Sequence, residues 1–212
     1  GVLYKGYTVG DIWGYVTGGI LQEGDFDGVG ANGKPLYHGP YFKGGQAYPG
    51  YIWYQDLDHD GVITTGLNTV DDPGDRKVIG NNAPRYRYNI TANFQYKGFD
   101  LDLMFQGVGK RDYWLSSTSS YWGNGAGSWE VYNNSWTPER TDAKFPMYGS
   151  GTGSYPQTGY LLDASYIKLK QVILGYTFPR ALINKIGLEK LRLNLAAYNL
   201  FTISDMPKYY DA

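Results

Sequence analysis

The sequence has no cysteine and only two histidines, His38 and His59. The first absence rules out disulfide frameworks, thiolate metal sites and cysteine nucleophiles. The second leaves little for acid–base catalysis, and neither histidine stands in a recognisable serine or aspartate partner pattern. No run of about 18 apolar residues occurs, which excludes a transmembrane helix but not a β-barrel, whose signal per segment is weak. Neither sign of charge dominates: 19 Lys and Arg oppose 20 Asp and Glu, for a net charge of −1, so nothing points to nucleic acid or to an anionic surface. No phosphate loop or dinucleotide fingerprint is present, since Gly107-Val108-Gly109 follows a strand pattern with no helix after it. No signal peptide opens the chain, and Gly1 reads as an internal start.

Tyrosine (22), glycine (30) and tryptophan (6) are abundant instead. Tyr and Trp favour strands, membrane interfaces and sugar-stacking surfaces, whereas Gly marks turns and long loops. The acids are 16 Asp against 4 Glu, and Asp is the better turn residue. The composition is that of an all-β protein with large loops.

Residues 85–106 carry the clearest pattern. Tyr86, Tyr88, Ile90, Ala92, Phe94 and Tyr96 fall on one face and Arg85, Arg87, Asn89, Thr91, Asn93 and Gln95 on the other. After Lys97-Gly98, Phe99, Leu101, Leu103 and Phe105 alternate with Asp100, Asp102, Met104 and Gln106. Period-two alternation of this length predicts two paired strands with one apolar and one polar face. Twelve residues at roughly 3.3 Å each span about 40 Å, which at a tilt near 40° covers the roughly 25 Å apolar band of an outer-membrane barrel. A hairpin from a soluble sandwich is the alternative reading of this segment alone.

Elsewhere the chain divides by regularity. Residues 1–84 are Gly-, Pro- and Asp-rich, with one short strand pattern near the start, Leu3–Tyr15; residues 110–164 are again irregular, with a short helix expected from Ser128 to Asn134. A third strand is expected over Ser165–Phe178. Its phase slips, because Ile167 and Leu169 are out of step with Val172, Leu174, Tyr176 and Phe178, and a bulge near Lys170-Gln171 would account for that. Pro179–Ile186 predicts a short helix stopped by Gly187, and Leu191–Thr202 a fourth strand. Connections thus run long, short, long, short. Compact soluble domains rarely carry long structureless connections, whereas outer-membrane barrels alternate long outer loops with short periplasmic turns. That alternation favours a transmembrane antiparallel β-barrel segment: loop region 1–84, hairpin 85–109, outer loop 110–164, and two further strands within 165–212.

One motif carries chemistry. Asp56, Asp58 and Asp60 at alternate positions, followed by Gly61 and by the Val62 carbonyl, can wrap oxygen ligands around Ca²⁺. The twelfth position, Glu in an EF-hand, is Leu67, so closure would need Asp71, Asp72 or Asp75; Asp71 is taken as the fifth candidate ligand. An Asp-rich turn held by side-chain-to-backbone hydrogen bonds is the alternative. No organic cofactor is expected. In the second irregular region Trp114, Tyr121, Trp122 and Trp129 are candidate cargo-stacking residues, with Tyr132 and Trp136 nearby; packing within the loop is the competing role for each. A carboxylate pair for glycoside hydrolysis has no specificity among so many loop acids, and no enzyme is predicted.

Several blocks in this order resemble SusC/RagA-type TonB-dependent outer-membrane transporters, in their C-terminal barrel portion. They are Tyr-Gln-Asp-Leu-Asp-His-Asp-Gly-Val-Ile (54–63), Asp-Arg-Lys-Val-Ile-Gly (75–80) with Pro84, Asn-Ser-Trp-Thr-Pro-Glu-Arg-Thr-Asp-Ala-Lys-Phe-Pro (134–146), Ser-Tyr-Ile-Lys-Leu-Lys-Gln-Val-Ile-Leu-Gly-Tyr-Thr-Phe-Pro (165–179) and Asn-Leu-Phe-Thr (199–202); residues 10–20 fit as well. The resemblance implies a large plugged barrel like the 22-stranded transporters. It implies a SusD-like surface lipoprotein as lid, oligosaccharide or peptide cargo, and a TonB complex acting through an N-terminal region not present here. The setting would be the outer membrane of a Gram-negative bacterium, with lipid and the remainder of the barrel as further partners and no nucleic acid. Four strands leave two open edges, which lipid does not tolerate, so the segment is expected to be one piece of a longer protein. The alternative function is a soluble extracellular Ca-dependent glycan-binding or adhesin module.

Overall fold

The computed structural model describes residues 6–115 and 129–207. Cα packing divides the chain into two units, one formed by 84–112 with 162–212 and the other by 1–83 with 113–161.

The first unit is a single antiparallel sheet. Four long strands, Tyr86–Tyr96, Phe99–Gly109, Tyr166–Thr177 and Arg192–Ser204, lie side by side in chain order. They have 11, 11, 12 and 13 residues, about twice the usual strand length, and suit a membrane crossing better than a sandwich. Register keeps apolar opposite apolar: Leu101 pairs with Phe94 on one side and Leu174 on the other, and Leu103 with Ala92 and Val172. At the phase slip, Met104 pairs with Gln171 and Phe105 with Leu169, so Lys170 is passed over; the fourth strand skips it too, with Leu169 on Phe201 and Gln171 on Tyr198. The extra residue lets Ile167 and Leu169 share a face with Val172, Leu174 and Tyr176 despite their opposite parity.

The hairpin turn needs positive φ at both central residues, and Lys97 (45°) and Gly98 (87°) supply it. The third strand also fastens the turn, because the Thr177 N–H donates to the Gly98 carbonyl at 2.8 Å. Pro179 opens a helical turn over Arg180–Ile183, a 3₁₀ turn follows at Asn184–Ile186, and Gly187 ends it at φ 74°. Proline before the first turn and a left-handed glycine after the last are the expected stops.

The second unit departs from the sequence reading. Residues 1–83 and 113–161 fall within the regions 1–84 and 110–164 expected as loops apart from one strand near the start, yet they contribute a packed unit of short strands. Asp11–Tyr15 pairs with Arg76–Asn81, Thr17–Ile20 with Ile52–Tyr54, Phe26–Val29 with Pro35–Tyr37, and Tyr41–Phe42 runs parallel to Val62–Ile63. Tyr15, Ile52, Tyr54 and Ile63 form the core, with Phe42 and Tyr160 against it. Residues 152–160 close it. The Tyr54 hydroxyl donates to the Thr152 carbonyl at 2.7 Å. Buried Gln157 donates to the Tyr54 hydroxyl at 3.1 Å and accepts from the Thr17 hydroxyl at 3.0 Å. Most of these strands, of two to six residues, are too short to show a period, and apart from the Phe26–Val29 and Pro35–Tyr37 pair their partners lie tens of residues away, so beyond the pattern at Leu3–Tyr15 no local signal reveals them.

Candidate metal loop and the two faces of the sheet

The Asp-rich loop hangs on the core of the second unit through Ile63, which is buried next to Val62 in a two-residue strand. Its turn is built by side chains. Asp56 accepts from the N–H groups of His59 (2.7 Å) and Gly61 (2.8 Å), Asp58 from Asp60 (3.2 Å) and Asp60 from Val62 (2.8 Å). His59 and Gly61 take the positive φ values, 60° and 85°, that the tight turn needs. His59 is exposed.

Asp75, not Asp71, closes the loop. Asp75 is completely buried, and its two oxygens accept from the Leu57 N–H at 2.8 Å and the Thr64 N–H at 2.7 Å, clasping both ends of the turn. One carboxylate oxygen from each of Asp56, Asp58 and Asp75 lies within 4.8 Å of the others. Asp71 is exposed and outside this group, as is the Asp60 carboxylate. The choice among the downstream acids is a matter of chain path: the strand Arg76–Asn81, held by Asp11–Tyr15, carries its immediate neighbour Asp75 back to the turn. A carboxylate oxygen that accepts one N–H keeps a further lone pair, so the same three groups have the capacity to ligate a hard cation.

The electrostatics fit such a ligand. Loss of water raises the Asp56 carboxyl, but donation from Gly61, His59 and Asp60 outweighs it and the net shift is downward. The Asp60 N–H lowers Asp58, yet desolvation and the charges of Asp75 and Asp60 prevail and Asp58 ends above its ordinary value. A cation placed beside the raised Asp58 carboxyl would relieve it.

The candidate cargo aromatics have separate fates. Trp129 is 74% exposed and stands edge-on to Tyr132, which stands edge-on to Tyr148. Trp114 is half-buried. Trp136 is 4% exposed and donates its indole N–H to Gln22 at 2.9 Å, so it is core rather than platform. Tyr121 and Trp122 lie outside the described residues.

The long-stranded sheet has one greasy and one polar face. On the first, Phe94 is 58%, Tyr96 71% and Leu195 71% exposed, with Ile90, Phe99, Leu193 and Ile203 also exposed. An aromatic row marks the Lys97–Gly98 end: Tyr96 pairs with Phe99 and Phe99 with Tyr176, whose ring lies 4.3 Å from that of Phe99 and edge-on to Phe178. Tyr88 lies near the other end, its ring over Gly107, where a Cβ would come within 2.2 Å of it. An aromatic row at one end of an exposed apolar band, with a tyrosine near the other, matches the aromatic belts of membrane barrels. The polar face carries Arg87, Asn89, Asn93, Asp100, Asp102 and Gln106. Sequence reasoning missed its cross-strand partners: Asn93 with Asp102, and Arg192 with Asp100.

Three receptors of the bacterium Formosa agariphila are similar to this chain in sequence. The chain is 31% identical to TonB-dependent receptor P3 over 208 residues, covering 97% of the chain and 19% of that protein. It is 30% identical to TonB-dependent receptor P26 over 156 residues, covering 72% and 15%, and 25% identical to P39 over 236 residues, covering 98% and 22%. No family model matches. The fold matches the RagAB peptide transporter with a TM-score of 0.56 at 21% identity, covering 92% of the chain and 19% of that structure; the 'open-open' state of the RagAB peptide importer gives 0.54. The four long strands form an all-β sheet of the kind found in the transporter barrels it matches. The chain belongs to the TonB-dependent receptors and spans about a fifth of the length of the relatives it matches.

Proposed function

We propose that the chain is part of a TonB-dependent importer in the outer membrane of a Gram-negative bacterium, taking up oligosaccharide or peptide with a SusD-like lipoprotein as lid. The observation that carries this is the uncovered apolar row Ile90, Phe94, Leu193 and Leu195 on strands of 11 and 13 residues. In a soluble sandwich those side chains would form the core; a lipid face needs them exposed. The polar face then lines the lumen. The Lys97–Gly98 turn lies on the periplasmic side, and the connections at the opposite end face outward. The relatives are receptors by name, and no catalytic constellation among the described residues supports an enzyme.

Asp56, Asp58 and Asp75 are proposed to hold Ca²⁺, with the Val62 carbonyl as a further ligand. The ion would bridge the turn to the strand behind it and stiffen the unit that carries both.

Extraction tests the main reading. Membranes of washed native cells should release the protein only into detergent. Release by salt or carbonate alone would favour the adhesin reading and end the transporter one.

A further inference from the structure

At the end of the sheet away from the Lys97–Gly98 turn, a cavity of about 460 Å³ opens among Pro84, Arg87, Asn89, Gln106, Arg111 and Tyr166. That volume falls within the roughly 300–1,000 Å³ of small-ligand sites. Register explains its walls. Arg87 pairs with Val108 and Val108 with Tyr166, so these three form one row of the polar face; Asn89, Gln106 and Lys168 form the next. Val108 is buried and makes the floor. Two guanidinium groups line the cavity and, among the described residues, no carboxylate does. In the next row the Lys168 ammonium lies 5.8 Å over the ring of Tyr166, which does line the cavity. The acids of this face, Asp100 and Asp102, lie toward the other end of the strands and are engaged by Arg192 and Asn93.

We infer that this pocket is a cargo subsite for a carboxylate group, with Arg87 and Arg111 as the charge partners and the Asn89 and Gln106 amides as neutral hydrogen-bonding groups. The inference rests on the importer reading, which makes the polar face a lumen. A guanidinium presents a planar fork that matches a carboxylate with two parallel N–H donors. Two such groups beside a tyrosine ring and two amides suit a charged head on a polar, ring-bearing or peptide body. Cationic residues at the outer end of a wet channel also raise the local concentration of anions and speed their entry. A carboxylate reaches such a site from an acidic sugar or from a peptide C-terminus, and the pocket chemistry is the same for both.

The test uses the full-length receptor purified in detergent, with binding of three probes measured by calorimetry: a galacturonate trimer, trialanine, and trialanine amide. Native receptor should bind at least one carboxylate probe and bind the amide more weakly. The Arg87→Gln variant should weaken carboxylate binding by about tenfold or more and flatten its salt dependence, while Arg87→Lys keeps part of it. Should Arg87→Gln fail to fold, Gln106→Glu, which adds a carboxylate to the same wall, should repel the same probes. Preference for the trimer assigns an acidic glycan, and preference for trialanine a peptide end. Absence of carboxylate binding to the native receptor overturns the subsite. So does an unchanged affinity in Arg87→Gln, or an equal loss for the amide. A failed subsite leaves detergent-dependent extraction intact, whereas failure of the importer reading shows in that extraction whatever the probes do.

Discussion

Arg192 on the fourth long strand reaches Asp100 on the second, 2.5 Å away, by passing over the strand between them. Gly175 makes the passage. It pairs with Asp100 on one side and Asn194 on the other, and a Cβ there would meet the Asp100 carboxylate at 2.4 Å and the Arg192 guanidinium at 2.8 Å. Arg192 is steadied by Asn194, whose side-chain oxygen accepts from its Nε at 2.9 Å. Half-exposed Arg192 limits the energy of the pair. Arg192→Ala should cost up to about 1 kcal/mol. Gly175→Val should cost more, because it removes the pair and adds a clash, and combining it with Arg192→Ala should cost less than the sum. Thermal unfolding of the detergent-solubilised barrel for the single and double variants decides this.

Gly98 is a second sensitive glycine for a different reason. Its φ is 87°, and a methyl group there would lie 2.7 Å from the Thr177 carbonyl oxygen, which leaves no room for alanine. Gly98→Ala should destabilise the barrel by about 1–3 kcal/mol, whereas Lys97→Asn, at a position already left-handed, should be neutral or better. Urea midpoints for refolding into lipid vesicles give the comparison.

The lipid face predicts an asymmetry between sequence neighbours. Leu103→Lys in the middle row of the apolar band should cost about 2–4 kcal/mol, and Met104→Lys on the polar face much less. A tryptophan placed at position 94 should be quenched by brominated lipid chains and one at 93 should not. Equal quenching at both positions would contradict the assignment of the two faces.

Calcium binding to the Asp-rich loop should be seen by calorimetry, and Asp58→Ala or Asp75→Asn should abolish it while Asp71→Asn leaves it intact. Flat traces for the native protein would remove the site.

Acid should weaken that binding in a particular order. The Asp58 carboxyl is held above its ordinary value, so it protonates first as the pH falls and gives up its place before Asp56. The stabilisation due to Asp56 has the opposite sense. Its lowered value makes it present above the ordinary carboxylate range and lost only as the pH falls through the depressed one. Calcium affinity measured at neutral pH and again approaching the carboxylate range should therefore decline before the loop itself loosens. Monitoring the loop through the backbone amide of Gly61 separates the two events.

The long strands, their two faces, the turn at Lys97-Gly98 and the bulge near Lys170-Gln171 could all be read from the sequence, because each is a local periodicity or its interruption. The phase of Ile167 and Leu169 against Val172 and Leu174 places the slip at Lys170-Gln171, and the strand pairing shows that Lys170 is the residue passed over. The same holds for the Asp56, Asp58 and Asp60 spacing, which is a property of one short turn. The pairing of the strand ending at Tyr15, the short strand at Tyr54, the burial of Trp136, and the folding of residues 152–160 onto the same core could not be read, since each depends on residues tens to more than a hundred positions apart.

The sequence alone thus determined which side chains share a face and where the chain turns, since alternation and turn chemistry are set by neighbours along the backbone. Only the tertiary structure decided that Asp75 rather than Asp71 meets the Asp-rich turn, that Arg192 meets Asp100 over a glycine, and that Arg87 and Arg111 share one cavity. Those pairings depend on strand register and on the path of the chain between elements, and neither leaves a periodic mark in the order of residues.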